Sequence, residues 1–334
     1  MPSQILHCLF GEDLYNKIAA SGRKSAILEL ITSHHKDEFL LGCQGPDIFY
    51  HSLGRRPVAL SYGTLLHRRG IGTFCETLLA EARAYAVSDA CLAYALGFIS
   101  HPFLDRSTHP YIVYKSHSVF PRSHAFFERI IDVLMLKHLR EQSVKDWYRK
   151  VQLEEICQKP HIALKELLAT SLIKSFPEKA GKDAKIHERI KNAFLDSASF
   201  YKHTSPYAIK ERALTEDISK KSLIVIHPKE LPEDIDFLNM NKEPWYEPVG
   251  GGEDNRSFPE IYNEAVQSAA ASLACFLFNF LDGRSLIESE AAAIIGNGGL
   301  SIQDSEGKPC IPLHVNALPL DKVLDIQAVL WGIN

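Results

Sequence analysis

Apolar positions recur with a helical period along most of the chain. Residues 12–35 read as two short amphipathic helices punctuated by Ser21 and Gly22, and residues 64–86 as a further helix with few breakers. Asp89 is placed to cap the next helix, residues 90–108, where Leu92, Ala95, Leu96, Phe98 and Ile99 leave apolar groups on every side. A helix apolar all round belongs at the centre of a fold. Residues 122–140 form a fifth periodic segment, and residues 142–215 continue as polar amphipathic helices, including 158–174 and 184–200. Breakers crowd residues 42–47 and a long loop over 50–63, and loops of that length are often functional. Residues 221–257 change character: they hold Pro228, Pro232, Pro244, Pro248, three glycines at 250–252 and a short strand pattern at 223–226. This stretch reads as an excursion over the surface of a bundle. A strong helix follows over 259–281 with Pro259 at its first position, and the tail beyond Gly296 reads as irregular. No internal repeat is visible. The expected fold class is all-α, a multi-helix bundle, with residues 1–215 as a helical domain and residues 216–334 as an extension packed on it.

Length and charge narrow the function. The longest apolar run of the 334 residues, around 269–281, is shorter than the roughly 18 residues of a membrane span and carries Asn279. The formal charge of −4 has the wrong sign for electrostatic capture of a polyanion, so nucleic acid is not the expected partner. Seven cysteines, odd in number and with no CxxC pair, indicate neither a disulfide framework nor a zinc ribbon. That usage suits a reducing compartment. The N-terminus has no basic n-region and its apolar stretch is broken by His7 and stopped by Glu12 and Asp13, so a cytoplasmic protein without a signal peptide is expected.

Histidine is the anomaly, since ten of fifteen fall before residue 140. The densest signal is His101, Asp105 and His109, spaced by four, which a helix places on one face. His124 and Glu128 repeat the spacing, and Asp132 continues the stripe in the position of a group that orients a ligand. Five nitrogen and oxygen donors exceed what one tetrahedral zinc uses, so the spacing implies two or more ions. Imidazole and carboxylate without thiolate is the donor set of a hydrolytic zinc centre, although manganese or iron would accept it too. An isolated His–Asp pair on a helix is usually a polar surface pair. On a helix this apolar, charges need partners, and only Arg106 and Arg129 lie near.

The ordered runs Leu-Gly-Cys-Gln-Gly-Pro-Asp47, Leu-Leu-His67-Arg-Arg-Gly, Tyr94 through His109-Pro-Tyr, and His124-Ala-Phe-Phe-Glu128-Arg-Ile-Ile-Asp132 resemble the bacterial zinc-dependent phospholipase C family. The resemblance covers about residues 1–140. Its wider superfamily includes single-strand-specific nucleases. It implies a helical bundle around up to three zincs, with Asp47, His67, His101 and Asp105 at the first, His109, His124 and Glu128 at the second, and Asp105 bridging to a third that His7 binds. The chain departs from the family pattern in two places. It begins Met1-Pro2-Ser3, where secreted members complete the third site with a processed Trp, so two zincs are expected and the third stays open. Pro102 directly follows His101 and is expected to kink the central helix.

Other groups are weaker. His51 and His117, in loops, are candidate substrate contacts, and Arg55 and Arg68, each beside a second arginine, are candidate phosphate contacts that are more often solvated pairs. His34 and His35 suit a helix end, while His138, His161, His187, His203, His227 and His314 read as ordinary surface or core residues. Gly250–Gly252 lack the following Lys-Ser/Thr of a phosphate loop, and Trp245 reads as an anchor for its own loop. The expected activity is phosphodiester hydrolysis on a phospholipid-like headgroup, with Asp47 orienting or deprotonating the attacking water beside the zincs. A nuclease would need stacking platforms and a cationic groove, which this composition does not suggest. A non-catalytic metal-binding or scaffold protein is the reading from another class.

Overall fold

The computed structural model describes residues 4–20, 31, 35–84, 88–207, 219–281, 290–304 and 307–333. Among them nearly all regular structure is helical, a bundle built around one long buried helix. The elements that position the cleft are α1 (Gln4–Ala20), α2 (Lys36–Cys43), a 3₁₀ turn at Gly45–Phe49, α3 (Leu60–Arg68), α4 (Ile71–Ala84), α5 (Ser88–Ser116) and α6 (Ser123–Arg140). Then come α7 (Val144–Lys150), α8 (Leu153–Gln158), α9 (Ile162–Ser175), α10 (Ile186–Thr204), α11 (Phe258–Leu281), α12 (Glu290–Ile295) and α13 (Leu320–Trp331).

Helix α5 is the axis. Cys91, Tyr94, Ala95, Leu96, Phe98 and Ile99 are buried on all its sides, and α1, α2, α4, α6 and α11 pack round it. Its crossing with α2 is close because both partners are glycines there. A β-carbon on Gly42 would fall 2.1 Å from the Tyr94 carbonyl oxygen, and one on Gly97 would fall 2.2 Å from that of Phe39. This approach sets the 3₁₀ turn carrying Asp47 against the middle of α5. The helix runs unbroken through Pro102 and Pro110, and His101 still meets Asp105, so the expected kink does not separate them. Asp89 lies in the first turn of α5, which begins at Ser88 rather than at the expected 90.

Several expected boundaries change. The single helix over 64–86 is two, α3 and α4, because Arg69 is extended and Gly70 adopts φ +75° between them. The strand pattern at 223–226 belongs to a 3₁₀ turn, Lys220–Val225, whose Leu223 and Ile224 are buried against α6 and α13 instead of pairing with a strand. The excursion does hold a two-stranded pairing, Trp245–Tyr246 with Glu253–Asp254, and the glycines 250–252 form its connection. Trp245 is buried between Tyr111 and Tyr114 and so anchors the excursion. The tail is not irregular throughout, since α13 buries Leu320, Val323, Leu324 and Ala328 and ends on Gly332 at φ +68°. One hydrophobic cluster runs from Ile5 to Ala328, drawing residues from both halves of the chain. The punctuation at Ser21 and Gly22, His34 and the stretch 208–215 lie outside the described residues. No helix among the described residues is long and apolar enough to cross a membrane.

Candidate metal centre

Five segments deliver side chains to one cleft: α1 carries His7, the 3₁₀ turn Asp47, α3 His67, and α5 and α6 the remaining donors. The i, i+4 spacing puts His101, Asp105 and His109 on one face of α5, facing His124 and Glu128 on α6. Ligand atoms fall into three groups, each within 4.8 Å: His7, His101 and Asp105; Asp47, His67 and His101; His109, His124 and Glu128. Asp105 lies among them, 3.3 Å from His7 Nε2, 3.2 Å from His101 Nε2 and 3.8 Å from His67 Nε2.

Hydrogen bonds behind the rings decide what faces the cleft. His67 Nδ1 lies 2.8 Å from the Gly63 carbonyl, His101 Nδ1 3.3 Å from that of Cys43, and His109 Nδ1 2.6 Å from that of Leu300. A carbonyl only accepts, so each ring keeps its proton on Nδ1 and turns the Nε2 lone pair inward. There it meets carboxylate oxygens: His67 Nε2 is 3.0 Å from Asp47 Oδ1, His101 Nε2 3.6 Å from Asp47 Oδ2, and His109 Nε2 3.7 Å from Glu128 Oε1. Acceptors facing acceptors in a buried space need positive charge between them, from a metal ion or a proton. The orphaned buried atoms say the same, for His7 Nδ1, His101 Nε2, Asp47 Oδ2 and Glu128 Oε2 have no hydrogen-bond partner. The donor set of nitrogen and oxygen fits zinc.

The electrostatics favour the ligating forms of the three carboxylates and of His109. Burial alone would raise Asp47, Asp105 and Glu128, but the neighbouring imidazoles more than reverse it, holding all three below their ordinary values and Asp105 well below. Burial pulls His109 down further than Asp105 lifts it, which keeps that ring neutral. At His7 burial is outweighed by the hydrogen bond to Asp105 and the charges of Asp105, Asp47 and Glu128, and the ring is raised. A proton on His7 answers the same need for positive charge.

The other sequence candidates separate. Arg68, exposed at the mouth, lines the cleft with Tyr50, Ser301, Ile302, Gln303, Pro309 and Cys310, around a cavity of about 340 Å³. Arg55 does not line it, because Asp196 captures its guanidinium at 2.6 Å and its backbone amide at 3.0 Å. His51 is buried, 3.0 Å from Ser197 Oγ and stacked on Phe200, which corrects its assignment as a substrate contact. His117 lines a neighbouring groove with Val119, Phe120 and Arg122, and this groove shares His124 with the cleft. Asp132 meets the backbone of α1. It accepts from the amides of Ile5 at 3.3 Å and Leu6 at 2.7 Å, so it fixes the start of α1 and reaches His7 through backbone. His227, read as an ordinary residue, is its buried partner at 2.9 Å. Sequence spacing gives Tyr50 no role although it stands three positions after Asp47, and the wall residues Ser301, Ile302, Gln303, Pro309 and Cys310 carry no motif.

Fold and cage together define a mainly helical protein in which five imidazoles and three carboxylates gather into groups that could hold metal ions. Residues 6–202 match the family described as zinc dependent phospholipase C, and the chain belongs to that family. No curated protein and no solved structure matches it.

Proposed function

We propose that the protein is a phosphodiester hydrolase of phospholipase C type that binds two zinc ions, with His7 offering a ligand to a third. Asp47, His67, His101 and Asp105 would hold the first, and His109, His124 and Glu128 the second. The carrying observation is the set of inward lone pairs and unpartnered carboxylate oxygens just described. Bound zinc supplies Lewis acidity toward phosphoryl oxygens and lowers the pKa of water.

The chain supplies the rest. Asp47, kept ionised and with Oδ2 free of hydrogen bonds, orients the attacking water and accepts its proton. Tyr50, pushed up to about 12 by burial and the charge of Asp47, stays a phenol and can donate to a phosphate oxygen. Arg68 offers a guanidinium at the mouth. Three buried carboxylates on the floor would repel a phosphodiester, so substrate enters only when the cage is neutralised. A cavity of about 340 Å³ accommodates a phosphorylated headgroup with its acyl chains outside, which favours a phospholipid or a soluble phosphodiester over a polynucleotide.

The test is hydrolysis of p-nitrophenylphosphocholine and of nucleotide and inositol phosphodiesters by zinc-loaded protein. Turnover abolished by a chelator and lowered about 100-fold or more in Asp47→Asn supports the reading. A zinc-loaded protein inert toward every phosphodiester overturns it in favour of non-catalytic metal binding.

A further inference from the structure

Beyond the matched stretch 6–202, one short loop touches the cage twice. The carbonyl of Leu300 accepts from His109 Nδ1 at 2.6 Å, and the amide of Leu300 donates to the His67 carbonyl at 2.9 Å. The loop then continues as Ser301, Ile302 and Gln303 into the wall of the cleft.

This loop is clamped from two sides. Arg106, next to Asp105, gives its guanidinium to backbone carbonyls: Nε to Gly299 at 3.1 Å, Nη2 to Gly296 at 3.1 Å and Gly298 at 2.7 Å, and Nη1 to Ile295. On the opposite side the Asn297 carbonyl accepts from the Gly70 amide at 2.9 Å. Its side-chain oxygen accepts from the Thr73 amide at 2.9 Å, and its Nδ2 donates to Thr73 Oγ1 at 3.0 Å. Gly72 permits this approach, since a β-carbon there would lie 2.7 Å from the carbonyl oxygens of both Ala292 and Gly296.

A planar guanidinium with five fixed donors can hold several carbonyls of one loop in register, which an ammonium cannot. The hydrogen bond behind a ligating imidazole sets which nitrogen faces the metal and how the ring is turned. We propose that Arg106 and Asn297 are positioning residues that hold the 296–300 loop so that Leu300 fixes His109 with Nε2 toward Glu128 and the second zinc. The proposal rests on the metal reading above. It makes a segment outside the family match part of this chain's cage.

Arg106→Met and Asn297→Ala test it from opposite sides of the loop. In competition with a zinc chelator, each is expected to weaken the second zinc about 10- to 100-fold relative to wild type. In nitrogen-15 histidine NMR, the His109 Nδ1 proton, assigned by its loss in His109→Gln, is expected to be a protected signal in wild type and to vanish in both variants. Arg106→Lys should recover little of either property. Should Arg106→Met fail to fold, Asn297→Ala, whose side chain is exposed, carries the test. Folded variants that keep the proton and wild-type zinc affinity overturn the proposal. If wild-type protein binds no zinc, the metal reading fails, and loss of the His109 proton in the variants still supports the positioning role.

Discussion

Gly45 lies against the imidazole of His101. Its φ is +53°, and a β-carbon there would fall 2.4 Å from His101 Cγ. The backbone that leads to Asp47 thus passes directly over a ring whose Nε2 is 3.6 Å from Asp47 Oδ2, and glycine is what lets the two meet.

Gly45→Ala is therefore expected to cost stability and distort the cage together. The left-handed backbone alone costs an alanine about 1–2 kcal/mol, and the overlap with His101 adds to it. Urea unfolding should show a lower midpoint, and zinc bound per folded chain should fall. A variant with wild-type midpoint and zinc content would contradict this.

Asp132 serves α1 with charge. Buried, it accepts from two first-turn amides and from His227, and Arg129 Nη1 lies 3.7 Å away. Asp132→Ala leaves those donors without their anion and should destabilise the protein by about 3 kcal/mol or more. Equilibrium denaturation measures it. A loss under about 0.5 kcal/mol would show that α1 docks without it.

His51 gives a pH dependence of definite sign. Burial pulls it from its ordinary value of 6.5 down to about 3, so between those values the unfolded chain binds a proton that the folded one does not. Its contribution is present above pH 6.5 and is lost as pH falls toward 3. The local slope approaches about 1.4 kcal/mol per pH unit. His51→Gln should flatten stability against pH between 6.5 and 4, by urea titration at fixed ionic strength. An unchanged slope would show that His51 does not set it.

What the sequence made legible was local. Helical spacing groups His101, Asp105 and His109, and His124 with Glu128, before any coordinate is known, and the continuous apolar surface of α5 marks it as central. What it hid was set by distant chain. The carboxylate that partners His227 is not one of its sequence neighbours but Asp132, 95 positions away. Arg55 looks free for phosphate until Asp196, 141 positions on, captures it. The Leu300 carbonyl behind His109 is backbone and leaves no residue signature. Helix α13 did carry a readable pattern, with Leu320, Val323, Leu324, Gln327 and Ala328 on one face, although the prolines before it suggest an irregular tail.

Metal content tests the central claim most directly. Elemental mass spectrometry should be run on protein purified without chelator, then incubated with zinc and desalted, for wild type and Asp105→Ala. Asp105 lies among the imidazoles of His7, His67 and His101, so removing it should empty most of the cage. Two or three zincs per wild-type chain, falling to about one or fewer in a variant that remains helical by circular dichroism, is the expected result. Less than about half an equivalent in wild type after zinc addition would contradict the account and leave the inward lone pairs of the cage without a cation.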